Sequence, residues 1–257
     1  MSDIITERSG PILRIQLNRP TRKNAMTSAM YVGLADLLKQ ALSDEGIRAV
    51  LWHAAGDSFC AGNDVEDFLK NPPVSGETPQ SRLMKAFLNF DKPLIAAVQG
   101  FAVGGGATML THCDFVYAAE SAKFQMPFIN LALVPEFGTS WSLPARIGHL
   151  RAAELILLGV RYDAKRALEL GLVTSVVPDQ ALLTTATQTA QKLAELPAVA
   201  LRACKRLMRQ SSREQIEQAM RLENEEFAPR VRSADAKEAL TAFLERRPPN
   251  FTRAAAS

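Results

Sequence analysis

Pro93-Leu-Ile-Ala-Ala-Val-Gln-Gly-Phe-Ala-Val-Gly-Gly-Gly-Ala-Thr-Met-Leu-Thr-His112 is the stretch around which the rest of the chain can be read. Leu94 to Val98 is an apolar run of strand length, Gly100 permits a turn, and Gly104, Gly105 and Gly106 precede residues of helical composition. The stretch predicts a buried strand that turns into a helix. Three glycines cost roughly 0.5–1 kcal/mol each against alanine inside an element. Two gains would offset that cost. One is tight packing of a helix on a sheet. The other is close backbone approach to a ligand, because the unpaired N–H groups at a helix start stabilise an oxygen that gains negative charge. In the second case the glycines form one half of an oxyanion hole; taken alone, the stretch leaves both readings open.

A chain of 257 residues with 47% hydrophobic composition can bury a full core, as one large domain or one domain with an appendage. Its net charge of +3 comes from 30 basic and 27 acidic residues, well mixed, so no basic stripe points to nucleic acid. Cys60, Cys113 and Cys204 are too few and too scattered for a disulfide framework. No apolar run reaches membrane-spanning length and the first residues lack signal-peptide order, so a cytoplasmic, membrane-free protein is expected.

Outward from the central stretch, Ile4 to Glu7 and Ile12 to Leu17 are β-prone runs around Ser9-Gly10-Pro11, which predicts a hairpin-like start. Met30, Leu34, Leu37, Leu38 and Leu42 fall at helical spacing, with Thr27 or Ser28 as cap. Ala49 to Ala54 reads as a strand, Gly56 to Gly62 as a loop, and Asn71 to Pro79 as a mobile surface loop. Asp114 to Ala118 and Lys123 to Gln125 read as strands, with a loop from Asn130 to Phe137. Trp141 to Ile147, Arg151 to Leu158 and Ala164 to Leu170 read as short helices closed by Gly148, Gly159 and Gly171. From Asp179 onward the pattern is helical. Leu201, Cys204, Leu207 and Met208, then Ile216, Met220 and Phe227, then Leu240, Phe243 and Leu244 give three amphipathic faces, more than one helical layer needs, and this end is expected to meet another subunit. Alternating strands and helices predict a layered α/β architecture.

A second stretch, Asp57-Ser-Phe-Cys-Ala-Gly-Asn-Asp64, follows a predicted strand with a turn of small residues. With the Gly104–Gly106 helix start it could supply a pair of convergent N–H donors for an enolate or tetrahedral oxyanion. Phe59-Cys-Ala-Gly-Asn-Asp64 together with Ala97-Val-Gln-Gly-Phe-Ala-Val-Gly-Gly-Gly106 resembles the crotonase, or enoyl-CoA hydratase/isomerase, superfamily. Asn18-Arg-Pro, Cys113-Asp114, Ala164-Lys-Arg-Ala-Leu-Glu-Leu-Gly-Leu-Val173 and Ala242-Phe-Leu-Glu-Arg-Arg247 extend the resemblance over nearly the whole chain. It implies an α/β crotonase spiral of ββα units, a core over residues 1–195, and a helical region over 196–257 that builds trimers or hexamers. It also implies a coenzyme A thioester as substrate, with no separate cofactor, and an oxyanion hole formed by the N–H groups of Asn63 and Gly105. Substrate-lining positions are implied at Lys23, Ala25, Ala61, Gly62, Asp64, Gly106, Phe128, Phe243 and Arg246. Lys23 would meet a phosphate as a point charge, or is a solvated loop lysine. Phe243 and Arg246 would reach a neighbouring subunit's adenine site, although core packing explains Phe243 equally well.

Hydratases of the family carry two glutamates where this chain has Thr108 and Phe128, and neither replacement ionises usefully near neutrality. A carboxylate remains at Glu136 in Leu133-Val-Pro-Glu-Phe-Gly-Thr139. It resembles the single base of peroxisomal-type Δ3,Δ2-enoyl-CoA isomerases. One base suffices there: it takes a proton from C2 of a 3-enoyl thioester and returns it at C4 of the dienolate. Val134, Phe137 and Trp141 would raise its pKa if they surround it. The plainer reading of Glu136 is a helix-start glutamate facing the dipole. His53, His112 and His149 lack metal-ligand spacing, Cys60 and Cys113 lack an activating base, and Asp64 and Asp114 match structural aspartates that brace turns. The expected function is an enoyl-CoA isomerase. The alternatives are a hydratase or other enolate-forming crotonase and, from another class, a noncatalytic acyl-CoA- or RNA-binding paralogue.

Overall fold

The computed structural model describes residues 2–70 and 77–251. β1 (Ile4–Ser9) and β2 (Ile12–Leu17) pair antiparallel across a two-residue turn in which Gly10 has φ of 58°. This is the expected hairpin. α1 (Ser28–Ser43) starts at Thr27, whose hydroxyl accepts from the Met30 N–H at 3.3 Å. β3 (Ala49–Ala54) follows, then α2 (Val65–Lys70) and α3 (Pro79–Asn89). Most of the loop expected from Asn71 to Pro79 lies outside the described residues. Its end is not a loop, because Thr78 and Ser81 form a reciprocal capping box that opens α3, with Pro79 at the first helical position.

β4 (Leu94–Val98) leads to β5 (Phe101–Val103), α4 (Gly105–Thr108) and a single 3-10 turn over Met109–His112. β6 (Phe115–Ala119), β7 (Lys123–Gln125), α5 (Thr139–Ile147), α6 (His149–Leu157), β8 (Arg161–Asp163), α7 (Ala164–Glu169) and β9 (Ser175–Val177) complete the sheets. α8 (Leu182–Glu195), α9 (Ala198–Val231) and α10 (Ala234–Leu244) close the chain. One sheet has the order β1-β2-β3-β4-β6-β9 and is parallel from β2 onward; the other has the order β5-β7-β8.

The period of two along each strand sorts the core. Val50 and Trp52 of β3, with Leu94, Ala96 and Val98 of β4, face the larger cluster, which includes Leu34 and Leu38 of α1 and Leu83 and Phe87 of α3. Ala49, Leu51, Ile95 and Ala97 point the other way, where Ala186, Ala190 and Ala194 of α8 lie on the sheet. Residues spaced by four put these alanines on one helix face.

The first two amphipathic faces expected at the C-terminal end belong to one helix, α9. Ile216, Met220 and Phe227 pack inward, whereas Leu207 and Met208 are exposed, at 68% and 81%. Nine positions separate Leu207 from Ile216, two and a half turns, so these two side chains point in opposite directions, with Met208 about 80° round the helix from Ile216. Arg202 and Arg206 bind Asp91 (both 2.8 Å) and Lys205 binds Asp114 (2.6 Å), which pins the first half of α9 beside β4 and β6.

Candidate active site

The two glycine-bearing stretches meet. Asn63 sits in an isolated parallel bridge with Met26, in which the Met26 N–H donates to the Gly62 carbonyl (2.8 Å) and the Asp64 N–H to the Met26 carbonyl (2.9 Å). Successive peptide groups of an extended chain face opposite ways, so the Asn63 N–H points away from Met26. A β-carbon on Gly62 would lie 3.0 Å from the Val103 carbonyl oxygen and 3.9 Å from Gly104 Cα, so the two glycine stretches touch. The Gly104 N–H is taken by the Gln125 carbonyl (2.9 Å), but the Gly105 N–H, at the start of α4, is not. Neither the Asn63 nor the Gly105 N–H donates a hydrogen bond within the described residues. Gly106 explains its own smallness: a β-carbon there would stand 2.5 Å from the Cys60 carbonyl oxygen.

Glu136 faces this corner. A β-carbon on Gly105 would lie 3.0 Å from Glu136 Oε1 and 2.9 Å from the Tyr31 hydroxyl. Tyr31 is fully buried on α1 and donates to Asn63 Oδ1 at 2.7 Å, so Asn63 is held by both its backbone and its side chain. Glu136 is 4% exposed, and its Oε1 has no hydrogen-bond partner. Burial, reinforced by the nearby Glu223, pushes its carboxyl up to about 8. Tyr31 is also pushed well above its ordinary value, by burial first and the Glu136 charge second, and stays a neutral donor.

The surroundings of Glu136 differ from those expected. Trp141 lines a separate cavity with His112 and Lys205, and the Phe137 ring packs on Phe87 and His112. The apolar walls of the cavity that Glu136 lines come from distant parts of the chain. Glu136 and Asn63 share a cavity of about 830 Å³ whose walls include Phe68, Met84, Met220 and Phe227 and whose rim carries Lys85 and Arg213. That volume is ordinary for a small-molecule site. Residues beyond 195 therefore help build it.

Other expected positions fall elsewhere. Thr108 is buried and its hydroxyl faces the Gly104 and Gly105 carbonyls at 3.3 and 3.4 Å. Phe128 is a core residue that does not line the cavity. Asp64 accepts from Arg19 (3.0 Å) and the Asp67 N–H (3.1 Å), and Asp114 accepts from the Leu94 N–H (2.8 Å), so both brace turns. The Ala25 carbonyl accepts from Arg19, the Ala61 N–H donates to the Lys23 carbonyl, and Lys23 Nζ pairs with Asp57. These keep the Lys23–Ala25 segment beside the Asn63 stretch but outside the cavity. Phe243 and Arg246 are exposed, with Phe243 at 61%, and do not reach the cavity of their own chain. Burial pushes the Cys60 and Cys113 thiols up to about 12, and His112 down to about 4. Among the described residues no three His, Cys, Asp or Glu side chains stand close enough to hold a metal ion, and no helix is long and apolar enough to cross a membrane.

The sequence reading missed Glu223. Its carboxylate accepts from the Gly138 N–H at 2.6 Å and the Ser140 N–H at 2.7 Å. The available signal was a glutamate at the i, i+3, i+7 spacing of Met220, Glu223 and Phe227, on the apolar face of α9.

The family model for enoyl-CoA hydratase/isomerase matches residues 7–254. The 1,2-epoxyphenylacetyl-CoA isomerase of Escherichia coli (strain K12) is 37% identical, over 98% of this chain and 99% of that one. The 2,3-dehydroadipyl-CoA hydratase of the same organism is 32% identical, over 98% and 99%. The crystal structure of an enoyl-CoA hydratase/isomerase from Pseudoalteromonas atlantica T6c superposes with a TM-score of 0.93 at 39% identity, over 97% of this chain and 99% of that one. A parallel sheet with a glycine-lined corner, two unspent amides and matches that run from end to end agree: the chain belongs to the enoyl-CoA hydratase/isomerase family of crotonase-fold acyl-CoA enzymes.

Proposed function

We propose that the protein is a Δ3,Δ2-enoyl-CoA isomerase in which Glu136 is the single acid–base group. The observation that carries this reading is the Glu136 carboxyl: buried, without a partner for Oε1, and beside Gly105 in the cavity that Asn63 also lines. The thioester oxygen sits between the Asn63 and Gly105 N–H groups. Glu136 removes a proton from C2 of a 3-enoyl thioester, the two amides hold the dienolate oxygen, and the same carboxyl returns the proton at C4. A carboxyl raised to about 8 is a stronger base than an ordinary glutamate and still ionises near neutrality. The CoA is carried by the substrate, and no further cofactor enters the reaction. Its pantetheine and phosphates run past Lys23, Ala25 and Ala61.

Hydration needs a second group to manage water. Thr108 and Phe128 do not ionise usefully, and both oxygens of Glu223 are taken by backbone N–H groups. A ring-bearing acyl group is favoured by one observation: Phe68 and Phe227 meet edge to face at 6.2 Å in the cavity wall. The relative named 1,2-epoxyphenylacetyl-CoA isomerase agrees with that substrate shape. The exposed Val199, Leu207 and Met208 of α9 support assembly as a trimer or hexamer.

Separate incubations with a 3-enoyl-CoA and a 2-enoyl-CoA test the reading. Isomerisation of the first is expected, falling on the order of 10²–10⁴-fold in Glu136→Gln. Rapid hydration of the second without isomerisation would reverse the assignment.

A further inference from the structure

Glu223 is a buried ionisable group, 5% exposed, that stands next to the site and has no part in the proton shuttle. The N–H groups it binds belong to Gly138, the N-cap of α5, and Ser140, its second residue. A helix start leaves such donors without intrahelical partners. What sets this cap apart is the backbone just before it. Phe137 has φ of 62° and Gly138 φ of 69°, so the residue directly after Glu136 is a bulky aromatic in the left-handed region. Such a conformation persists only where its surroundings over-determine it. Three contacts do so: the Phe137 ring is fully buried, His112 Nε2–H donates to the Phe137 carbonyl at 2.8 Å, and Glu223 takes the next N–H along the chain. Glu136 Oε1 has no partner of its own, so the aim of that carboxyl is set by the backbone that carries it.

We propose that Glu223 is a positioning residue for proton transfer: reaching across from α9, it holds the Gly138 and Ser140 N–H groups and so fixes the left-handed turn that aims Glu136 at the substrate. The inference rests on the reading of Glu136 as the base. The titratable groups facing Glu136 are Tyr31 of α1, Cys60 of the loop after β3, and Glu223. Burial keeps Tyr31 and Cys60 neutral; burial also raises the Glu223 carboxyl, opposed by the Ser140 and Gly138 hydrogen bonds that both its oxygens accept, and its charged form adds to burial in raising Glu136.

Glu223→Gln keeps the shape, removes the charge and sets an amide NH2 against one of the two N–H groups. Measured on the full chain with a 3-enoyl-CoA, kcat is expected to fall about 10- to 100-fold, as for a misaimed catalytic group, while KM stays within about twofold. The acid limb of kcat/KM is expected to move to lower pH, which loss of a structural cap alone would not do. Glu223→Asp retains the charge and should keep the parental limb with a reduced kcat; it replaces the Gln variant if that fails to fold. Parental kcat and limb in Glu223→Gln overturn the proposal, and so does parental kcat in Glu223→Asp where the Gln variant does not fold. Glu136→Gln is measured alongside. If it is inactive while Glu223→Gln is unchanged, only the role of Glu223 falls; if it keeps full turnover, the base assignment fails and takes this inference with it.

Discussion

Replacing Glu136 by Gln should lower turnover on the order of 10²–10⁴-fold and also stabilise the protein, and the gain should carry a pH signature. Burial, with Glu223 second, raises the Glu136 carboxyl from 4.5 to about 8. The unfolded chain releases this proton near 4.5 and the folded protein near 8, so between those values the folded state binds more protons. The contribution of the group to stability is full below 4.5 and is lost as pH rises through 8. At about 1.4 kcal/mol per pH unit, the loss across that window is on the order of 5 kcal/mol as an upper bound. Gln fills the same space and does not ionise. The stability difference between variant and parent should therefore be small at about pH 5, widen steadily and level off above about pH 8. Thermal unfolding at matched protein concentration reads it, at about 2–4 °C per kcal/mol for a chain of this size. Parallel stability curves across that range, or a variant less stable than its parent in alkali, would refute the buried-charge argument.

Tyr31→Phe removes the hydroxyl that holds Asn63 Oδ1 at 2.7 Å and leaves a partly buried acceptor unpaired. A stability loss of about 1–3 kcal/mol by urea unfolding is expected, with a lower kcat as the Asn63 amide loosens; parental kinetics would remove Tyr31 from the site. Gly106→Ala drives a β-carbon to within 2.5 Å of the Cys60 backbone oxygen, where nothing flexible can give way. Its melting temperature should drop by at least several degrees, for an overpacking cost of about 1–3 kcal/mol. Cys60 and Cys113, buried and pushed up to about 12, should resist thiol reagents in the native protein and react only after unfolding, as mass spectrometry of labelled peptides can show.

Local signals carried much of this fold. The Thr27 cap and the apolar spacing of Met30, Leu34 and Leu38 give α1, and the run Leu94–Val98 gives β4, because each is decided by residues within a few positions. β5, β8 and β9 escaped because each is three residues long and abuts a glycine turn or a helix start that dominates the local pattern, whereas β7, equally short, reads as a strand. α3 opens in the stretch expected to be a loop: Thr78 and Pro79 mark a helix start as readily as a turn. At the site, Asn63, Gly105 and Glu136 are singled out by the family resemblance rather than by local pattern, and the structure places Glu136 beside Gly105 and in one cavity with Asn63. Trp141, expected near Glu136, turns to another cavity, because proximity in sequence is a poor guide to packing across a helix start. Glu223 acts on residues 83 and 85 positions away, a pairing that only tertiary structure creates.

The Asn63 and Gly105 donors are main-chain amides, and that bears on how such an enzyme changes over generations. A point mutation rewrites a side chain and leaves the peptide N–H where it was, so long as the new residue tolerates the same path. In the proposed mechanism the amides of that corner survive any replacement that keeps the path, although Gly105 and Gly106 leave little room for a β-carbon, while Thr108, Phe128 and Glu136 act through side chains that a single substitution exchanges. New chemistries can then arise by resetting which acids and bases surround a fixed electrostatic socket, with the backbone as the heritable constant and the side chains as the variable.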